Sequence, residues 1–146
     1  MQRRLRLGMV GGGQGAFIGA VHRIAARIDD QYELVAGALS SDPQRARDSG
    51  AALHLAPERC YSDYRAMALA ESQRADGIEA VAIVTPNHLH APVATAFMEA
   101  GIHVICDKPL GISLAEGQAL AALAEQKNLL FALTHTYSGY PLLRHA

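Results

Sequence analysis

Two apolar rhythms alternate along this chain. Short, mostly apolar runs at Leu5 to Val10, Leu34 to Leu39, Ala80 to Val84, His103 to Cys106 and Leu129 to Leu133 read as strands, and a shorter one is expected around Cys60 and Tyr61. The unbroken run Ala80 to Val84 is the pattern of a strand covered on both faces. Between the runs the spacing becomes helical. Ile18, Val21, Ile24, Ala25 and Ile28 predict an amphipathic helix whose apolar face meets the core. Asp42-Pro43 is a helix start, a side-chain cap followed by Pro at the first helical position. Ser62 or Asp63 opens the next helix, which carries Tyr64, Met67 and Ala68. Val93, Ala96, Phe97 and Ala100 mark another, and Gly101 is placed to end it. Ser113 and Glu116 have capping-box spacing before a helix that runs to about Lys127. Strand and helix alternating in this way predict an α/β fold with a doubly wound parallel sheet, the Rossmann arrangement.

Composition narrows the class. The chain has 146 residues, half of them apolar and 18% charged, which is ample for a packed core and unlike a disordered chain. Lys and Arg number 13 against 14 Asp and Glu, so neither an extended nucleic-acid footprint nor a polybasic membrane patch is expected. The basic start, Arg3-Arg4-Leu5-Arg6, leads into a stretch broken at Gly8 and again from Gly11, so no signal-peptide core develops. No run approaches the ~20 apolar residues of a membrane span. These features point to a soluble, cytoplasmic protein. Cys60 and Cys106 stand far apart, with no pattern of a disulfide framework or a structural zinc site.

In doubly wound sheets ligands bind beyond the carboxyl ends of the strands, where strand order reverses. Four segments fall there: Gly11 to Gly19, Thr85 to His90, Asp107 to Pro109 and Thr134 to Tyr137. The first is rich in glycine, which permits positive φ and lets backbone N–H groups approach a pyrophosphate at a helix N-terminus. Gly11-x-Gly13-x-x-Ala16 satisfies one dinucleotide spacing, with Gln14 inside the loop. Gly19 becomes the closing glycine only if the loop is three residues longer. The acidic residue that usually follows the second strand to bind a ribose is missing. Ser40 and Ser41 occupy that place, Asp42 reads as a helix cap, and Arg45 is nearby. This arrangement favours NADP over NAD, although Arg45 can equally be a solvated helix residue.

Thr85-Pro86-Asn87-His88-Leu89-His90 offers polar groups to a cofactor or substrate, or is a polar loop and nothing more. Its two histidines lack a third ligand, so no metal site is expected. Lys108 ends a strand where it could hold a substrate oxygen or move a proton, but Asp107-Lys108-Pro109 alone reads as readily as a surface turn. No G-x-S-x-G elbow or phosphate-binding Gly-Lys loop occurs.

Together, Val84-Thr85-Pro86-Asn87-His88-Leu89-His90, Ala100-Gly101-Ile102-His103-Val104 and Asp107-Lys108-Pro109-Leu110 resemble the Gfo/Idh/MocA family of oxidoreductases over essentially the whole chain. Asp107 departs from that family's usual Glu. His22, three residues after Gly19, matches its first helix and favours Gly19 as the closing glycine. The resemblance implies a nicotinamide-dependent dehydrogenase acting on a sugar, polyol or related hydroxyl compound. Gly11, Gly13, Gln14 and Gly19 would cradle the pyrophosphate, and Ser40, Ser41 and Arg45 would border the adenosine ribose. Thr85, Pro86, Asn87, His90 and Asp107 would line the cofactor. Lys108 would stand by the nicotinamide as the catalytic contact to substrate, its bond to Pro109 often cis. The partners implied are a nicotinamide dinucleotide, NAD or NADP, and a small sugar-like substrate, with homo-oligomers allowed.

The resemblance divides the chain into a cofactor domain, residues 1–134, and the start of a linker, residues 135–146, to a substrate domain absent from the sequence. The 146 residues alone are then expected to bind cofactor and turn over little. Two other readings stay open. Gly11-x-Gly13-x-Gly15 also fits an S-adenosylmethionine methyltransferase loop, and a lone Rossmann domain would serve as a non-catalytic nucleotide sensor.

Overall fold

The expected strands pair in parallel into one sheet: Leu5–Gly11 (β1), Tyr32–Ala38 (β2), Ala80–Val84 (β3), His103–Asp107 (β4) and Phe131–Thr134 (β5), in the order β2-β1-β3-β4-β5. The computed structural model describes residues 3–145, so residues 1, 2 and 146 of the two expected segments lie outside the described residues. Among the described residues, six α-helices accompany the sheet: Phe17–Ile28 (α1), Pro43–Ala52 (α2), Tyr64–Ser72 (α3), His90–Glu99 (α4), Leu114–Lys127 (α5) and Pro141–His145 (α6). The chain runs outward from β1 to β2, then crosses back to lay β3 on the other side of β1. The reversal therefore lies between β1 and β3, and it opens a crevice at the ends of those two strands.

The strand expected around Cys60 and Tyr61 shrinks to a single parallel bridge between Gly37 and Cys60, with the Tyr61 N–H donating to the Gly37 carbonyl at 2.8 Å. A 3-10 turn over Pro57–Arg59 ends just before it, and Asp63 caps α3 just after, so no length remains to extend it.

Alternation along the buried strands splits the core in two. Val81, Ile83, Val104 and Cys106 face α3, α4 and α5, where Met67, Phe97, Met98 and Leu120 are buried. Leu7, Met9, Ala80, Ala82 and Val84 face the other way, under α1 and the Leu39 to Leu55 segment. Fully burying side chains such as Phe97 contributes about 1.5–3 kcal/mol each.

Local signals set the helix ends. Asp42 accepts from the Arg45 N–H at 2.7 Å, Asp63 from Ala66 at 2.8 Å, and Ser113 from Glu116 at 3.2 Å. Instead of closing a reciprocal box onto Ser113, the Glu116 carboxylate accepts from the Ile112 N–H at 2.8 Å. Gly101, at φ 80°, stops α4, and Ile102 N–H returns to the Phe97 carbonyl at 3.0 Å. Among the described residues, no helix is long and apolar enough to cross a membrane.

Helix α1 corrects the reading of its periodicity. Ile18 meets the sheet, but Val21, Ile24 and Ile28 are 40%, 56% and 73% exposed, and Phe17 is 82% exposed. Gly19 and Ala26 turn inward instead, and His22 is largely covered. Backbone contact sets this rotation. A Cβ on Gly19 would lie 2.4 Å from the Gly12 Cα, so only glycine fits where α1 crosses the end of β1.

Candidate functional site

At the end of β1 the chain turns through Gly11 and Gly12, at φ 81° and 72°, in the left-handed region that favours glycine. Gly13 lies so close to the Leu39 carbonyl that a Cβ there would stand 2.6 Å from the oxygen. Gly15, at φ 82°, has open space around it. The loop ends at Ala16, the N-cap of α1, which makes no side-chain cap. Asp42, Asp63 and Ser113 cap α2, α3 and α5. The first N–H groups of α1 are left to a ligand, at the end of the helix dipole that attracts anions. Two side chains outside the glycine motif brace the loop. The Ser49 hydroxyl, on buried Ser49, accepts from the Gln14 N–H at 3.1 Å, and Arg23 Nη1 donates to the Gly12 carbonyl at 2.7 Å. Gln14 thus spends its N–H inside the protein and keeps its exposed side chain for a ligand.

The second wall follows β3 and β4. The Thr85 hydroxyl oxygen is buried and has no hydrogen-bond partner among the described residues. An unpaired buried hydroxyl costs about 1–3 kcal/mol, so a ligand group satisfying it is favoured. Pro86 and Asn87 are exposed at the rim, whereas His90 is 1% exposed. The His90 ring nitrogens face two carbonyl oxygens, Pro109 at 2.6 Å from Nδ1 and Thr85 at 3.0 Å from Nε2. His90 therefore sits behind the wall instead of offering its ring to a ligand. Asp107 is also turned away: its carboxylate accepts from the Thr134 hydroxyl at 2.9 Å and lies 3.7 Å from His22 Nε2. Burial pushes the His22 imidazole below its ordinary pKa, and the Asp107 carboxylate opposes that shift. Burial, aided by Asp107, pushes the Cys106 thiol up to about 12, so it is no nucleophile.

Two clefts, each about 490 Å³, flank this wall. Gly11, Ser40, Ser41, Arg45, Thr85 and Pro86 line the first, together with Ser62, Tyr64, Leu89 and Val93, and among the described residues no Asp or Glu lines it. Ser40 accepts the Asp42 N–H at 3.1 Å and holds the turn after β2. Lys108, Pro109, Leu110, Leu133, His135, Tyr137 and Tyr140 line the second, and the Lys108–Pro109 bond is cis. The structure thus gathers the four segments picked from the sequence at one edge of the sheet. Reading the sequence missed Gly12, Arg23, Ser49, Ser62 and Tyr64. Gly12 stood in the glycine run, while the other four carry no motif and are found only through their contacts.

A nicotinamide dinucleotide fits these residues. The glycine turn leaves no room for side chains, α1 keeps its first donors free, and the Thr85 hydroxyl awaits a partner. The sequence matches the family described as "Oxidoreductase family, NAD-binding Rossmann fold" over residues 5–135. An oxidoreductase from Sinorhizobium meliloti is 59% identical, with a TM-score of 0.91 over 99% of this chain and 40% of that one. An inositol dehydrogenase homolog from Azotobacter vinelandii, solved with NADH and myo-inositol, is 42% identical, with a TM-score of 0.94 over 99% of this chain and 38% of its own. The oxidoreductase YfiI of Bacillus subtilis is 44% identical over 144 residues, 98% of this chain and 37% of that protein. The chain therefore spans about two-fifths of the relatives it matches.

Proposed function

Because this chain belongs to the Gfo/Idh/MocA oxidoreductase family, we propose that its 146 residues form the dinucleotide-binding part of an NAD(P)-dependent dehydrogenase of sugars, polyols or related hydroxyl compounds. Residues 1–134 would be the cofactor unit and residues 135–146 the start of the connection to a substrate domain. The observation that carries this reading is the uncapped N-terminus of α1 under a glycine turn, beside an unpartnered Thr85 hydroxyl. Gly11, Gly13 and Gly19 shape the turn for a pyrophosphate, and Gln14 adds its exposed side chain. Thr85, Pro86 and Asn87 border the cofactor. His90 and Asp107 hold that border from behind. When bound, the nicotinamide supplies the hydride acceptor. Lys108, exposed at the end of β4, holds the substrate hydroxyl oxygen and stabilises negative charge developing on it.

Ser40, Ser41 and Arg45 favour NADP. Support comes from a cleft lined by one guanidinium and, among the described residues, by no Asp or Glu to repel a 2′-phosphate. The Azotobacter homolog was solved with NADH, so a titration must compare both dinucleotides. Calorimetry of the purified chain with NADPH, NADH and S-adenosylmethionine tests the whole reading. Binding of NADPH, weakened about tenfold by Arg45→Gln while NADH is unaffected, is expected. Equal affinity for both dinucleotides would remove the NADP preference, and binding of S-adenosylmethionine alone would overturn the assignment.

A further inference from the structure

His90 opens α4, is 1% exposed, and stands between the two clefts, with no surface to offer a ligand. Its ring spans 2.6 Å to the Pro109 carbonyl and 3.0 Å to the Thr85 carbonyl. Carbonyl oxygens only accept, so the ring must donate: a neutral imidazole, with its one N–H, to one of the two at a time, and an imidazolium to both. Thr85 lines the cleft that holds Arg45, and Pro109 lines the one that holds Lys108. No other described side chain hydrogen-bonds to either carbonyl, so this one ring joins the two walls. We propose that His90 is a positioning residue that fixes the Lys108 loop against the Thr85 loop, and that it sets affinity for the nicotinamide half of the cofactor without touching it.

Simple packing would explain the burial of an apolar ring, but it would not require two nitrogens aimed at carbonyls from two different loops. Asn and Gln carry both donors on one nitrogen, so neither sets a nitrogen against each carbonyl as the imidazole does. The glycine turn makes no hydrogen bond to His90, and Gly11 meets the Val84 and Thr85 backbone only by packing, so the change is expected to fall more on the nicotinamide half than on the pyrophosphate end.

The proposal rests on dinucleotide binding, and its test separates the two claims. Calorimetry on the 146-residue chain compares NADH with ADP-ribose, which lacks the nicotinamide, for the wild type, His90→Gln and His90→Asn, with thermal unfolding run alongside. NADH affinity is expected to fall about tenfold while ADP-ribose changes less than about twofold. Equal loss for both ligands would make His90 a packing residue and overturn the proposal, as would unchanged NADH affinity. Failure of the wild type to bind either ligand would instead remove the dinucleotide reading. If both variants unfold, the wild-type His90 ring resonances give the answer: they should shift with NADH and stay in place with ADP-ribose. Equal shifts, or none, would refute the idea.

Discussion

Gly19→Ala is the sharpest test of how the glycine turn is built. The added Cβ would stand 2.4 Å from the Gly12 Cα, 2.8 Å from its carbonyl oxygen and 3.0 Å from its carbonyl carbon. Carbon atoms pack at about 3.5–4.0 Å, so the deficit is roughly 1 Å. Every atom met is backbone, and no rotamer change relieves it. Either α1 or the turn must move by about that distance. Moving α1 pulls Ile18 and Ala26 from the core, and moving the turn strains the bond from Arg23 to the Gly12 carbonyl. Overpacking of this kind costs about 1–3 kcal/mol, and misplacing the donors at the start of α1 should weaken dinucleotide binding by tenfold or more. Gly15→Ala is the control: its φ of 82° imposes about 1–2 kcal/mol of strain, but its Cβ meets nothing. Urea unfolding and calorimetry on both variants separate clash from strain. A Gly19→Ala protein with wild-type stability and wild-type dinucleotide affinity would show that the close approach is dispensable.

Three further outcomes follow from other parts of the fold. Glu71 is 1% exposed and accepts from Arg59 Nε at 3.1 Å, Arg59 Nη2, the Tyr61 hydroxyl at 2.9 Å and the Ile78 N–H at 3.2 Å. Glu71→Gln would leave the buried Arg59 guanidinium with only the exposed Asp76 carboxylate at 3.7 Å and the Asp76 carbonyl at 3.3 Å, and should cost about 3 kcal/mol by urea unfolding; a loss below about 1 kcal/mol would mean that Asp76 or water takes over the pairing. The Glu79 carboxyl is held at about 2, chiefly by the Arg3 guanidinium and then by the Arg6 N–H, against an ordinary value of 4.5. Because the folded value is the lower one, its stabilisation is present above pH 4.5 and fades as pH falls towards 2. Glu79→Gln should flatten that part of the stability profile, and an unaltered profile would exclude the carboxylate as its source. The double substitution Ile24→Glu with Ile28→Glu should cost less than about 1 kcal/mol in thermal unfolding, since both side chains already face solvent; a larger loss would return them to the core.

Strand identities were legible because a parallel sheet covered on both faces writes itself as short apolar runs. Ala80–Val84 emerged with the bounds read from the sequence, and the other four strands shifted by one or two residues at their ends. Helix starts at Asp42, Asp63 and Ser113 were equally plain, since each cap is a local hydrogen bond within three residues. Long-range partners left no such trace. Arg59 and Glu71 sit 12 residues apart in different elements, and Ser49 reaches Gln14 across 35. Nothing local marks His90 as buried either: a histidine in a polar loop reads as exposed until the Pro109 carbonyl, 19 residues on, closes over it.

The reversal of α1 has a different origin. Periodicity reports that a helix has an apolar side, not which way that side points. Burial of Val21, Ile24 and Ile28 against the sheet would be worth several kcal/mol by area, so a stronger constraint must oppose it. Contact between Gly12 and Gly19 supplies that constraint, because any rotation bringing the apolar stripe inward carries Gly19 off Gly12 and lifts the start of α1 from the end of β1. The turn that presents the free N–H groups would then lose its floor. One glycine thus marks the dinucleotide motif and sets the rotation of the helix, and the apolar stripe is left outside because the glycine turn takes precedence over helix burial.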